Sequence, residues 1–211
     1  LAADSAPSFL HGVASGDPDQ ESVVIWTRMS GLTKSHSVSW QLALDSTFQR
    51  IISHGSETTN QYQDYTVKAV VTGLEPGRNY FYRFNCRGFT SPIGLTRTLP
   101  KGNLDSVGIA LASCSNYAFG FFNGYDAIAR DHAVDFVLHL GDYIYEYAAT
   151  GWGAQTALAL NRAHKPINEI VSLQDYRERH AQYKADPDSQ RMHAAKPLLL
   201  VWDDHGGIGI G

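Results

Sequence analysis

Between residues 9 and 99 the apolar positions fall in short runs separated by turn residues. Residues 22–29 are dominated by β-branched and aromatic side chains, and 37–44, 64–72 and 78–87 alternate apolar with polar. A period of two puts one strand face on a core and the other toward water, and several such strands spaced by turns predict a β-sandwich. From residue 106 the pattern changes. Residues 106–112 form a continuous apolar run, as in a strand covered on both faces of a parallel sheet. Phe122, Tyr125, Ile128 and Ala129 fall at helical spacing within 119–131, and 134–140 is a second apolar run. Ser172 followed by Asp175 is a capping box that opens a helix ending near Lys184. A further helix covers 189–195 and a third strand 197–202. Strand, helix, strand, helices, strand predicts an α/β sheet with right-handed crossovers.

One turn is more specific. Thr72-Gly73-Leu74-Glu75-Pro76-Gly77-Arg78-Asn79-Tyr80-Phe81-Tyr82 places a core Leu before a Pro-Gly turn and a strand that opens on Tyr. It resembles the corner turn of fibronectin type III domains, with Tyr80 and Tyr82 as packing residues. Glycines after Pro92, then Pro100-Lys101, mark a linker. The expected organisation is a tail at 1–8, a sandwich at 9–99, a linker at 100–104 and an α/β unit at 105–211. A length of 211 residues accommodates two units at a prior of ~150 residues each.

Composition narrows the function. A formal net charge of −4 lacks the clustered Lys and Arg that nucleic-acid backbones require, so no nucleic-acid partner is expected. No apolar run approaches the ~20 residues of a membrane-spanning helix. Residues 1–7 have no basic stretch leading into an apolar core, so an export signal is expected to be removed already or never to have existed. Cys86 and Cys114 fall in different predicted units, which argues against a disulfide framework.

In open α/β sheets ligands bind beyond the carboxyl ends of the strands. The three predicted ends carry Ala112-Ser113-Cys114-Ser115-Asn116, Gly141-Asp142-Tyr143-Ile144-Tyr145 and Asp203-Asp204-His205. Two adjacent carboxylates after Leu198-Leu199-Leu200-Val201 are costly near a sheet end unless paired or metal-bound. Carboxylate oxygens suit hard cations, whereas a thiolate and a phenolate suit ferric iron or another transition metal, so the set predicts a mixed metal site. His11, Arg28 and Arg177 are expected in salt bridges between units or on a helix surface. His132, His164, His180 and His193 are expected to be solvated surface histidines.

Gly-Asp-x-x-Tyr resembles the calcineurin-like metallophosphatases. The wider text is closest to the PhoD-type alkaline phosphatases: Phe9-Leu10-His11-Gly12-Val13-Ala14-Ser15-Gly16-Asp17-Pro18, Val24-Ile25-Trp26-Thr27-Arg28, Ala112-Ser113-Cys114, His139-Leu140-Gly141-Asp142-Tyr143-Ile144-Tyr145-Glu146-Tyr147, Asp175-Tyr176-Arg177 and Trp202-Asp203-Asp204-His205. That resemblance implies a fibronectin III-like β-sandwich followed by the first half of a metallophosphatase α/β sandwich holding Fe(III) and Ca2+. It implies Cys114 as an iron-binding thiolate, Asp142 as the metal bridge and Tyr145 as a further iron ligand. Asp204 would bind the second metal, with Asp203 and Asn116 as further candidates. His205 would stabilise the transition state or protonate the leaving oxygen. The chemistry would be hydrolysis of phosphodiesters and phosphomonoesters, small or belonging to the cell envelope, by a metal-bound hydroxide. Cations achieve this by lowering the pKa of water from ~16 toward ~7. The resemblance also implies an exported, extracytoplasmic protein.

After Trp-Asp-Asp-His the family continues with Glu and, a few residues on, Asn, and it takes further His ligands from a Gly-Asp-x-His motif far downstream. Here Gly206-Gly207-Ile208-Gly209-Ile210-Gly211 follows instead. The expectation is therefore a truncated metallophosphatase half. The alternative is a catalytically incomplete fragment that acts at most as a binding module.

Overall fold

The computed structural model describes residues 6–205; the glycine-rich stretch 206–211 and residues 1–5 of the tail lie outside them. Eleven strands and four α-helices run in the order β1 (Val13–Gly16), β2 (Ser22–Arg28), β3 (His36–Ala43), β4 (Ile51–Thr59), β5 (Thr66–Thr72), β6 (Asn79–Cys86), β7 (Phe89–Thr90), β8 (Gly94–Arg97), β9 (Ile109–Ala112), α1 (Asn123–Arg130), β10 (Phe136–His139), α2 (Ala154–Leu160), α3 (Leu173–Lys184), α4 (Pro187–Ala195) and β11 (Leu198–Leu200) among the described residues.

The period-two segments form a fibronectin III-like β-sandwich. Val23 and Ile25 of β2, Val67, Ala69 and Val71 of β5, and Tyr80, Tyr82 and Phe84 of β6 point inward and form one core with Val38, Leu42 and Leu74. β4, β3, β6 and β7 make one sheet, with β8 also paired to β6. The corner is as expected: the buried Tyr80 hydroxyl accepts the Glu75 N–H at 2.8 Å and donates to the Glu75 carbonyl at 3.2 Å, which fixes the turn.

The opposing sheet does not stop at the sandwich. Its order is β5-β2-β1-β11-β10-β9, so the antiparallel strands β5, β2 and β1 continue into the parallel strands of the α/β half. The join is the parallel pairing of β1 with β11, Gly16 opposite Leu198. α1, α3 and α4, with the segment after β10, supply the second core, in which Tyr125, Tyr143, Tyr183 and Met192 pack with Val137.

The period-two strands, the α3 capping box and the apolar runs at 134–140 and 197–202 all correspond to observed elements, whereas other segments differ. α3 has the predicted capping box, Ser172 Oγ accepting the Asp175 N–H while the Asp175 carboxylate receives the Ser172 N–H. β9, expected to be covered on both faces, lies at the end of the described sheet, with Ile109 53% and Leu111 64% exposed. The apolar run signalled the strand but not that only one face is covered: Ala110 and Ala112 pack on the helices, and Ile109 and Leu111 point from the other face. The helix expected across 119–131 divides at Gly120: a 3-10 turn ends at Phe119 and α1 begins at Asn123. β4 is mostly exposed and gave no apolar signal. α2 has no side-chain N-cap and follows Gly153, so its start was not marked.

The histidines need one correction. His164 and His193 are buried, 1% and 2% exposed, while His132 is exposed and His180 half-buried. His164 Nδ1 lies 3.1 Å from the Tyr147 carbonyl, and His193 Nε2 lies 2.8 Å from the Tyr143 hydroxyl. Polar neighbours in sequence hid these contacts, which come from other segments. Arg28 makes a two-point salt bridge with Asp64 at 2.8 and 2.9 Å and approaches His11 at 3.3 Å. Arg177 reaches from α3 to the Tyr62 carbonyl at 2.6 Å.

Burial pulls His164 down to about 4, with the Arg179 charge adding to it, and burial pulls His11 down to about 4 with help from Arg28. Each keeps its ordinary value near 6.5 when unfolded. Between those values the unfolded chain binds more protons, so the stability from neutral histidine is complete above pH 6.5 and is lost as pH falls toward 4. The urea midpoint is expected to fall over that interval, and His164→Gln to flatten the fall; a midpoint constant from pH 6.5 to 4 contradicts this.

Asp186 does two jobs at the start of α4. One carboxylate oxygen accepts the Asp188 and Ser189 N–H groups at 2.9 and 3.2 Å, and the other receives Arg162 Nη1 at 2.8 Å. Both side chains are buried, so Asp186→Ala removes a helix cap and strands a guanidinium. A loss of about 3–5 kcal/mol in urea unfolding is expected.

Candidate metal and catalytic site

Parallel pairing sets the carboxyl ends of β9, β10 and β11 side by side: Ala112 lies opposite His139, and His139 opposite Leu200. The chain leaves these ends through left-handed backbone, φ 56° at Cys114, 109° at Gly141 and 51° at Asp142. Side chains other than Gly resist this region, so its occurrence at two candidate ligands is stored strain of about 1–3 kcal/mol per residue. Hydrogen bonds hold it: Cys114 N–H to Gly141 O at 3.2 Å and Ser115 N–H to Asp142 O at 3.0 Å. Gly141 is also required by space, since a Cβ there would lie 2.3 Å from Asp203 Cβ.

These constraints aim Asp142 into the space between two donor groups. Asp142 is buried, 6% exposed. Its Oδ2 receives the Tyr145 hydroxyl at 3.3 Å and lies 3.7 Å from Cys114 Sγ. Its Oδ1 accepts the His205 backbone N–H at 3.0 Å. One ligand atom each from Asp142, Asp204 and His205 lie within 4.8 Å of one another. Donors about 2.4 Å from a common cation sit no more than about 4.8 Å apart, so this set fits a divalent ion. A thiol, a phenol and a carboxylate on the other side suit a softer or ferric ion. The residues present therefore fit a metal centre with Asp142 between two donor sets.

Of the residues singled out from the sequence, Cys114, Asp142, Tyr145, Asp204 and His205 converge. Asp203 does not join the cation-sized group; its Oδ1 accepts the Asp204 N–H at 3.0 Å. Asn116 Oδ1 caps the 3-10 turn by accepting the Ala118 N–H at 3.0 Å.

Two residues escaped the sequence reading. Glu146 holds His205 Nδ1 at 3.1 and 3.2 Å. Burial lowers the His205 pKa, but the Glu146 hydrogen bond and the nearby carboxylates outweigh it, and the net direction is upward. Burial raises the Tyr145 hydroxyl strongly, with the Asp142 and Cys114 charges adding to the effect. The His205 ring packs on Tyr145, centroids 4.6 Å apart. The other missed residue is Arg179, fully buried, whose guanidinium donates to the Tyr145 carbonyl, to Tyr147 O at 3.0 Å and to Lys165 O at 2.8 Å. It clamps the 145–147 backbone from behind. Both left a trace: Glu146 interrupts an aromatic run, and Arg179 shares a helix face with Tyr176 and Tyr183.

Arg179→Met leaves buried carbonyls without donors and is expected to cost about 3 kcal/mol in urea unfolding, with Arg179→Lys intermediate. Equal stability of the three proteins removes the clamp from the account.

Residues 2–100 match the family described as PhoD-like phosphatase, N-terminal domain, and residues 109–206 match PhoD-like phosphatase. The chain is 40% identical over 211 residues to Alkaline phosphatase D of Bacillus subtilis (strain 168), covering 95% of this chain and 36% of that protein. A solved structure described as that of PhoD superposes with a TM-score of 0.87 at 38% identity, covering 97% of this chain and 40% of the other.

Proposed function

The chain belongs to the PhoD-like phosphatase family, and from that premise we propose that it hydrolyses phosphoric esters at the metal centre around Asp142. The carrying observation is the shared carboxylate: Asp142 faces Cys114 and Tyr145 through one oxygen and the Asp204–His205 segment through the other. The donor chemistry favours Fe(III) on the thiolate and phenolate side and Ca2+ on the carboxylate side. Cations bound there supply charge for the phosphoryl oxygens and make water a nucleophile near neutral pH.

The chain's own residues supply the rest. Tyr145 and Cys114 bracket one Asp142 oxygen, and Arg179 fixes the Tyr145 backbone behind it. Glu146 fixes His205 through Nδ1, so the opposite ring nitrogen is the one available to protonate the leaving oxygen. The cation-sized group around Asp142 and Asp204 favours a second use of His205, as a ligand. The two uses separate on His205→Gln: lost turnover with full metal content supports the proton donor, and lost metal supports the ligand. Small phosphoesters or cell-envelope phosphodiesters are the substrates in this reading, with the protein at work in the periplasm or outside the cell. Residues 9–99 serve as the sandwich unit and 105–211 as part of the catalytic unit, joined by 100–104.

The chain spans 36% of the curated relative's length and 40% of the solved one. The alternative is thus a catalytically incomplete piece that binds without turnover. Hydrolysis of p-nitrophenyl phosphate and bis-p-nitrophenyl phosphate with added iron and calcium decides between them. Turnover is expected, and Asp142→Asn is expected to lower it by at least about a hundredfold, beyond the effect of losing an outer-shell partner. No turnover, with iron bound, supports the alternative.

A further inference from the structure

Away from the strand ends, a cavity of about 570 Å³ lies between α3 and the β1–β2–β5 part of the long sheet. That volume is in the range of small-ligand sites. Its walls are mainly apolar and aromatic, with Trp26, Leu173, Tyr176 and Trp202 among them, and its charged residues are Arg28, Asp64, Arg177 and Lys184.

The charges do not balance. Arg28 and Asp64 neutralise each other through their two-point pair. Arg177 spends one donor on the Tyr62 carbonyl, and among the described residues no carboxylate pairs with it or with Lys184. Lys184 Nζ reaches His193 Nε2 at 2.9 Å and lies 5.4 Å from the Trp26 ring centre and 5.1 Å from that of Tyr143. Its surroundings add no negative charge, and it depresses the protonation of His11, His139, His180 and His193 around it. Burial alone brings the Lys184 amine down to about 7, so a small gain in interaction makes it a full cation. A buried ammonium is costly unless it is paired. What the cavity lacks is an anion, and what its walls favour is an apolar body.

We propose that this cavity binds a free, monomeric amphiphilic carboxylate, its head on Lys184 and its hydrocarbon chain along the apolar wall that includes Trp26, Tyr176 and Trp202. The carboxylate supplies the countercharge that Lys184 lacks, and the hydrocarbon chain removes apolar wall from contact with water. The pairing is desolvated on the Lys184 side, which makes discrimination by charge stronger than at an open surface.

Calorimetric titration with decanoate, decan-1-ol and decyltrimethylammonium, each below its aggregation limit and with no metal added, tests this. The result does not depend on hydrolysis, so it stands or falls apart from the catalytic reading. Decanoate is expected to saturate at one per chain and to bind at least about tenfold more tightly than either control, a difference near 1.4 kcal/mol. Lys184→Met, which keeps stem length and removes charge, is expected to bring decanoate down to the decanol level. Ala181→Leu, which narrows the cavity without touching charge, is expected to weaken decanoate and decanol together; circular dichroism establishes that both variants are folded. Decanol binding as tightly as decanoate, an unchanged decanoate affinity in folded Lys184→Met, absence of saturable binding, or binding only to anionic phospholipid vesicles overturns the proposal.

Discussion

At Gly16 the backbone of β1 comes so close to β11 that a Cβ would sit 2.8 Å from the Leu198 carbonyl oxygen. This approach makes a six-stranded sheet out of what would otherwise be two shorter ones. Both halves of the chain therefore share a hydrogen-bonded frame. The strand ends that carry the candidate ligands are referenced to the sandwich through β11, and α3 and α4 lie over the junction. Gln190 of α4 reaches back to the Leu10 carbonyl at 2.8 Å and Arg177 of α3 to Tyr62, so helix contacts repeat the tie made by the strands.

On that frame the site is held by backbone more than by side-chain packing. Cys114 and Asp142 occupy left-handed conformations that adjacent turns stabilise by bonding to each other. Behind them Arg179 meets four carbonyls, and the aromatic rings of Tyr145 and Tyr147 flank His205. The candidate side chains are thus positioned by the fold itself, and a site fixed in this way has less ordering left for a bound group to impose.

How much of this was readable in the sequence follows from where each signal arises. Local grammar carried well: the Ser172–Asp175 capping box, the Tyr80 corner and the period-two strands depend on neighbours within a few residues. Strand-end position carried too, because the chain runs on from β9, β10 and β11 directly into the segments that contain Cys114, Asp142 and His205, and these come together. Long-range closure did not. The open face of β9, the burial of His164 and His193 and the clamp by Arg179 all depend on how segments distant in sequence come together. Amphipathic pattern describes one element at a time, whereas those features belong to pairs of elements.

The left-handed backbone at Asp142 has an evolutionary consequence. Asn shares with Asp a tolerance for that conformation, and the two residues are one nucleotide apart in the genetic code. A single nucleotide change can therefore replace the carboxylate with an amide while keeping the turn, the sheet and the Gly141 contact intact. Selection on shape alone therefore does not hold a carboxylate at this position; only a use for its charge does.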